Sequence, residues 1–303
     1  MKILVTGAAG FIGERLIRRL VSLGYKIVVI DRNAKPIDLQ NNENVTWIRK
    51  DIAVEVIHNN EINDIDTVIH LAGATLGAGE DEWRFLSSNE STTTRLLQVC
   101  SERINKFIYA STQCVYGDVN DTAVDEMFPL QPSSSAYACS KINSENWLKW
   151  FQKKNGGTYF SLRFSGFIEG GGIVDYIIDR ALRNQPVELY SNGTICRDYL
   201  TLNNGVDVII SALNYKGDMG YLPINIGSGQ QISSLELTNQ ICAELGSTSK
   251  IILTEKSAPQ DNFVFDIHRA IELFNFAPDN LLGAVKNYAT KRKVLFYRNE
   301  TCA

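Results

Sequence analysis

Long apolar runs are missing from this chain of 303 residues, and without about eighteen apolar residues in succession no membrane span is expected. Neither sign of charge dominates. Against 30 Lys and Arg stand 34 Asp and Glu, a formal charge of −4 that leaves no general basic footprint for nucleic acid. The short cluster Lys291-Arg292-Lys293, on an expected helix, reads as a solvated face. Histidine is scarce: His58, His70 and His268 lie far apart, so neither a metal centre nor His-based acid–base chemistry is expected. The six cysteines, Cys100, Cys114, Cys139, Cys196, Cys242 and Cys302, include no paired CxxC spacing. Zinc and a disulfide framework are therefore not expected, and a reducing cytoplasm fits. The chain opens on a strand with no basic and apolar leader ahead of it, so export is not expected either. What remains, 44% hydrophobic and 21% charged, is ordinary globular composition, and the length suits one large domain or two coupled ones.

The most informative stretch is Met1 to Asp31. An apolar run, Ile3-Leu4-Val5, leads into Thr6-Gly7-Ala8-Ala9-Gly10-Phe11-Ile12-Gly13 and then an amphipathic segment with Ile12, Leu16, Ile17, Leu20 and Val21 at helical spacing. Strand, glycine turn and helix follow in that order. Gly7 allows a sharp turn, Gly10 a close approach of backbone to a pyrophosphate, and Gly13 tight packing of helix on sheet. The helix start offers N–H groups and a positive dipole end to phosphate. A second strand, Tyr25 to Ile30, ends at Asp31, where a carboxylate can accept from adenosine ribose hydroxyls. Asp31 repels a 2′-phosphate, which favours NAD over NADP; Arg32 beside it can stack on adenine or tolerate that phosphate. Three glycines alone mean no more than a tight turn; the strand before, the helix after and the acid beyond raise them to a dinucleotide site.

Further strands are expected at Val45 to Lys50, Thr67 to Gly73, Lys106 to Ala110 and Thr158 to Arg163, with helices over about 82–102 and 136–151. Such alternation implies a parallel, doubly wound α/β sheet with ligands at the carboxyl ends of its strands. Asp51, with Ile52 after it, either bonds the adenine amino group or caps a following helix. Leu71, Ala72 and Gly73 leave room for cofactor backbone, and the fifth strand delivers Ser111 and Thr112 to the same edge. Tyr137 and Lys141, four residues apart on the 136–151 helix, project from one face. Beyond Gly156 the alternation loosens. Helices are expected at 174–182, 235–245, 267–274 and 281–292 in a smaller lobe, which places the domains at 1–165 and 166–303, with a segment near 194–215 returning to the first.

Taken in order, the motifs resemble the extended short-chain dehydrogenase/reductase family, and within it the UDP-galactose 4-epimerase-like nucleotide-sugar enzymes. The residues that carry this are the 6–13 glycine turn, Asp31, Asp51-Ile52, His70-Leu71-Ala72-Gly73, Asn89, Ser111 to Gly117 (Ser-Thr-Gln-Cys-Val-Tyr-Gly), Tyr137-Ala138-Cys139-Ser140-Lys141, Leu162-Arg163, Arg197-Asp198-Tyr199 and Asn225 to Gly229. They span nearly the whole chain.

The resemblance implies a Rossmann-like domain with a smaller mixed α/β substrate lobe, bound NAD, and a nucleotide-sugar substrate. It implies that Thr112 binds the reacting hydroxyl, that Tyr137 is the general base, and that Lys141 holds the nicotinamide ribose and, with the nicotinamide, favours the phenolate. Asn89 and Ser111 are implied on the cofactor side, and Arg197 on the substrate diphosphate. It further implies a homodimer through helices around 88–101 and 136–151. Three positions depart from the pattern: Phe164-Ser165-Gly166 lacks the usual Asn, Asn203-Asn204 replaces an acidic pair, and Ala258, near Pro259-Gln260-Asp261, stands where a phosphate-binding Arg is common. Gln113-Cys114 after Thr112 lacks the acids of a 4,6-dehydratase. The expected activity is a cytoplasmic NAD-dependent nucleotide-sugar 4-epimerase working through a 4-keto intermediate, in surface-polysaccharide synthesis; the alternatives are an NAD(P)H-dependent keto-sugar reductase or a non-catalytic dinucleotide-binding protein.

Overall fold

Apolar runs buried on both faces demand a parallel sheet covered by helices on either side. Ile3, Leu4, Val5, Val29, Ile30, Val68, Ile69 and Phe107 are fully enclosed in this way. A computed structural model of the chain describes residues 1–75, 82–100, 104–119, 123–257 and 262–301.

The elements of the sheet and the helices that follow them are β1 (Lys2–Thr6), α1 (Phe11–Ser22), β2 (Lys26–Asp31), β3 (Val45–Arg49), β4 (Thr67–His70), α2 (Thr92–Cys100), β5 (Lys106–Thr112), α3 (Ala136–Asn155), β6 (Thr158–Phe164), α4 (Leu202–Asn214) and β7 (Tyr221–Ile226). The spatial order is β7-β6-β5-β4-β1-β2-β3. From β3 to β6 every neighbouring pair is parallel. At the outer edge Tyr159 N–H donates to Gly220 O and Ser165 N–H to Ile226 O, so β7 runs the same way. The chain winds outward from β1 to β3, then crosses to β4 and winds the other way. The sheet is thus the doubly wound, Rossmann-like sheet expected, and its order reverses between β1 and β4, where such folds open a crevice.

The described residues divide into two compact units. The first comprises 1–117, 127–164 and 205–224; the second comprises 118–126, 165–204 and 225–303. In the second, helices Ile173–Leu182, Ser234–Leu245 and Leu281–Thr301 enclose Val174, Ile177, Ile178, Leu237, Ile241, Val285 and Ala289. Its strands are short. Val187–Leu189 pairs with Ile251–Leu253, and Cys196–Leu200 lies between Gly166–Phe167 and Gln231–Ser233.

One expected helix takes a different form. Residues 82–102 do not run as a single α-helix: a π-helical turn, Leu86–Ser91, precedes α2. Thr92, Thr93 and Thr94 all turn their hydroxyls back onto carbonyls three or four residues earlier, those of Ser88, Asn89, Glu90 and Ser91. Such back-bonding loosens the regular ladder. Residues 101–103, the expected end of this helix, lie outside the described residues.

Candidate active site

The turn after β1 is built as the glycine spacing requires. Gly7 adopts φ +72°, and a Cβ there would stand 2.5 Å from the Ala72 nitrogen. A Cβ on Gly13 would fall on the Gly7 carbonyl and 2.6 Å from the Ala8 Cα. Both glycines let three backbones touch. Gly10, exposed, is the N-cap of α1, and no side chain caps that helix start. The first-turn N–H groups and the dipole end therefore offer a cradle for an anion. Asp31, buried at the end of β2, accepts from Ala9 N–H at 2.9 Å and from Asn33 N–H at 2.9 Å, which leaves half of its acceptor sites for ribose hydroxyls. Arg32 is exposed, and its carbonyl accepts from Arg49 Nε at 3.1 Å. An uncapped helix start, glycines in contact with β4's exit and an acid on β2 together fit a dinucleotide.

Beneath this turn runs a buried polar chain. Ala72 N–H donates to the Thr6 hydroxyl at 3.3 Å, and that hydroxyl lies 2.6 Å from His70 Nδ1. On the other side His70 Nε2 lies 3.0 Å from the Thr93 hydroxyl, which donates to Asn89 O at 2.8 Å. Because Thr93 spends its proton on Asn89, His70 must donate from Nε2 and accept at Nδ1. Burial and the Lys141 charge hold His70 neutral, with its pKa pulled down to about 3. Asn89 itself accepts from Ala74 N–H at 2.7 Å and donates to Ser140 at 3.0 Å. The π-turn is what carries its side chain between the β4 exit and α3.

The fifth strand delivers the reactive groups. Thr112 ends β5, its hydroxyl accepts from Cys114 N–H at 3.2 Å, and it lies close enough to the Tyr137 phenol to favour the phenolate. Ser135 caps α3, accepting from Ala138 N–H at 3.0 Å, and so fixes Tyr137 in the first turn. The Tyr137 ring packs 5.4 Å from Phe85. One turn on, Lys141 donates to Ala110 O at 2.8 Å, with its ammonium 4.7 Å above the Tyr109 ring and 5.9 Å from that of Tyr137.

Burial pushes the Tyr137 phenol well above its ordinary range and Cys114 adds to this, with Thr112 pulling the other way. Burial likewise lowers Lys141 to about 8, against the carboxylate of Glu145 and the thiol of Cys114. Of the groups that act on the Tyr137 phenol, Thr112 favours the phenolate, and desolvation outweighs it.

The other expected residues are placed as follows. Ile52 is buried in the core beside Val28 and Ile57. Leu71 N–H donates to Thr6 O, and a Cβ on Gly73 would stand 2.6 Å from Asn89 Oδ1 and 3.8 Å from Lys141 Nζ. Asp51 caps no helix, correcting one of its two readings. Its carboxylate accepts from Ala53 N–H at 2.9 Å and closes a single turn. Ser111 is spoken for: its hydroxyl donates to Glu145 at 2.6 Å. Phe11, exposed, and Ile12, half-buried, open α1.

In the second unit Arg197 lies 5.8 Å from the Phe263 ring. Asp198, next along the strand and so on the opposite face, is buried. It accepts from Ser228 N–H at 2.8 Å, the Ser228 hydroxyl at 2.7 Å, Gly229 N–H at 3.1 Å and Phe265 N–H at 3.3 Å. That explains why the 225–229 motif and Arg-Asp-Tyr occur in one chain. Of the departures, Asn204 accepts from Asp279 N–H at 3.0 Å, a helix-entry role in place of charge. Residues 258–261, where the phosphate-binding Arg is missing, lie outside the described residues.

A model of the NAD dependent epimerase/dehydratase family matches residues 3–227. A protein of Methanocaldococcus jannaschii provisionally assigned as a UDP-glucose 4-epimerase is 28% identical over 283 residues, covering 89% of this chain and 90% of that one. The UDP-glucuronic acid 4-epimerase of Bacillus cereus, crystallised with UDP-glucuronic acid and NAD, superposes with a TM-score of 0.83 at 27% identity, over 96% of this chain and 99% of that one. The UDP-glucose 4-epimerase of Thermotoga maritima, crystallised with UDP-glucose, gives 0.84 at 25% identity, over 97% and 100%.

Proposed function

Since this chain belongs to the NAD dependent epimerase/dehydratase family, we propose that it is an NAD-dependent nucleotide-sugar 4-epimerase in which Thr112, Tyr137 and Lys141 are the catalytic residues. The observation that carries this reading is the convergence of Thr112, at the end of β5, with Tyr137 and Lys141, one turn apart on α3, at the carboxyl end of a sheet whose first turn is an uncapped glycine cradle.

NAD bound at that cradle supplies a reversible hydride acceptor, by which the sugar passes through a 4-keto intermediate and back. Gly7, Gly10, Phe11, Ile12 and Gly13 take its pyrophosphate; Asp31 and Arg32 its adenosine ribose; Asp51 and Ile52 its adenine edge; Leu71, Ala72, Gly73, Asn89 and Ser111 flank the rest. Asp31 disfavours a 2′-phosphate. Lys141 would hold the nicotinamide ribose. Thr112 holds the 4-hydroxyl, and Tyr137 takes its proton as C4 is oxidised and returns one as C4 is reduced. Arg197 binds the diphosphate of the substrate, a task for a planar, always-charged fork. Gln113-Cys114 supplies no carboxylic acid pair for elimination.

The protein assembles as a homodimer through α2 and α3. Supporting this, Trp147 and Trp150 stand 40% and 51% exposed on α3, while Glu90, on the π-turn before α2, accepts from Asn143 and from Trp147 of α3. It works in the cytoplasm, a reading supported by free cysteines throughout the described residues. No described helix is long and apolar enough to cross a membrane.

The decisive experiment incubates purified protein with UDP-glucose, UDP-galactose and UDP-glucuronic acid, without added cofactor, and follows the anomeric protons by NMR. Interconversion at C4 with retained NAD is the expected result. Turnover only with stoichiometric NADH or NADPH oxidation would make the protein a reductase.

A further inference from the structure

We propose that Glu145 is the positioning residue of this site: its single carboxylate grips β5 immediately below Thr112 and supplies the countercharge that keeps the Lys141 ammonium protonated. The proposal rests on the roles given above to Thr112, Tyr137 and Lys141, and it deepens them.

Glu145 lies one helical turn after Lys141 on α3, so both side chains descend from one face onto the same stretch of β5. Lys141 takes the carbonyl of Ala110, and Glu145 takes the hydroxyl of Ser111, the two residues that lead into Thr112. The carboxylate then reaches sideways. Ser111 is in register with Arg163 on β6, and Arg163 closes a two-pronged pair with Glu145, Nε to Oε1 at 3.0 Å and Nη2 to Oε2 at 2.6 Å. Tyr221, at the start of β7, donates to Oε2 at 3.1 Å. Both ionic partners are only 3% exposed. The remaining Arg163 prong donates to the Tyr116 hydroxyl at 2.7 Å. One carboxylate therefore ties α3 to three adjacent strands at the point where the reactive threonine leaves the sheet.

Core packing does not require this arrangement, because apolar residues of the same volume fill such a space at no greater cost. A charge is different: it acts on neighbours it does not touch. The groups facing Lys141 are Glu145 and Tyr137 on α3, the Tyr109 ring on β5, Cys114 on the turn after β5, and His70 on β4. His70 is neutral and the Tyr109 phenol is held far above its ordinary range by burial. Glu145 is the carboxylate of that set. With Lys141 already lowered to about 8 by burial, losing this neighbour releases its proton in the working range.

The test labels lysine with 13C at Cε and follows the Lys141 signal, assigned by its absence from K141R, through a pH titration by NMR. Expected is a midpoint near 8 in the wild type and lower by about one pH unit or more in E145Q, with the alkaline limb of kcat moving down in step and KM unchanged. Y221F, which removes one donor and no charge, should leave the Lys141 midpoint in place. If E145Q does not fold with Arg163 unpaired, E145Q/R163M removes both charges and should show a smaller move in the same downward direction, since the repulsion from the Arg163 cation goes with it. An unmoved Lys141 midpoint in a folded variant overturns the proposal, as does a fall in kcat that is equal at every pH. Should the wild type fail to epimerise any UDP-hexose while the Lys141 midpoint still moves, the functional reading fails and the electrostatic role of Glu145 stands.

Discussion

The Asp31 carboxylate accepts the Ala9 N–H at 2.9 Å across twenty-two residues of sequence, so the acid that ends β2 also braces the turn that precedes α1. Its two tasks separate by substitution. Asp31→Ala removes the brace and the ribose acceptor, and NAD affinity should fall by about tenfold to a hundredfold, one or two lost hydrogen bonds to a charged group. Asp31→Asn keeps one acceptor and removes the charge, so NADP should gain on NAD. Calorimetric titration of both dinucleotides against both variants checks the pair, and equal loss of NAD and NADP in Asp31→Asn would show that charge plays no part in the choice.

Gly13→Ala places a methyl group on the Gly7 carbonyl, between two backbones that have nowhere to go. The helix must lift from the sheet. Unfolding in urea should show a loss of about 1–3 kcal/mol, the cost of an overpacked core position, and bound NAD should be lost with it. Gly10→Ala meets only the Gly7 oxygen, at 3.2 Å, so its stability should change far less than its cofactor affinity. That contrast distinguishes a packing glycine from a phosphate-facing one.

Tyr137→Phe leaves the packing against Phe85 and removes the proton acceptor. Turnover should fall by about 10²–10⁴-fold, the usual worth of a positioned base, with NAD still bound and KM little changed. Thr112→Val should lower kcat as well, since the hydroxyl proposed to hold the reacting 4-hydroxyl is gone. Single-turnover measurements that find either variant fully active would remove these two residues from the chemistry.

The glycine turn, the central strands and the Tyr137–Lys141 face were legible because each is a local signal: short continuous apolar runs for strands buried on both faces, four residues for one helical face. What escaped depends on partners far away in sequence. Nothing near Leu86–Ser91 announces a π-turn; it forms where Asn89 must reach both Ala74 and Ser140. Helix α4 was hidden by its polar opening, Leu202-Asn203-Asn204-Gly205, although Thr201, which accepts from Asn204 N–H at 3.1 Å, is a recognisable N-cap. Strands of two or three residues such as Val187–Leu189 and Ile251–Leu253 exist only through each other. Arg163 was visible as a motif residue, but its partner Glu145 becomes apparent only when β5 and β6 are set in register.

His70 gives the clearest acid limit to stability. Its folded pKa is about 3, below the ordinary value of 6.5, because burial excludes the charged form and the Lys141 charge adds to that. A base whose folded value is depressed contributes stability that is fully present above the unfolded value and is lost as pH falls through the window between the two. Between pH 6.5 and 4.5 the wild type should therefore lose about 2 kcal/mol through this residue alone, since the slope starts at half of about 1.4 kcal/mol per pH unit at the unfolded value and reaches it below. His70→Gln keeps one donor and one acceptor for Thr93 and Thr6 but cannot titrate. It should start less stable at pH 7.5, since glutamine fills the ring's place poorly, and then lose less on acidification. Urea midpoints at pH 7.5, 6.5, 5.5 and 4.5 for the two proteins give parallel lines if His70 ionises in the folded chain as freely as in the unfolded one, and converging lines if the Thr6–His70–Thr93 chain holds it neutral.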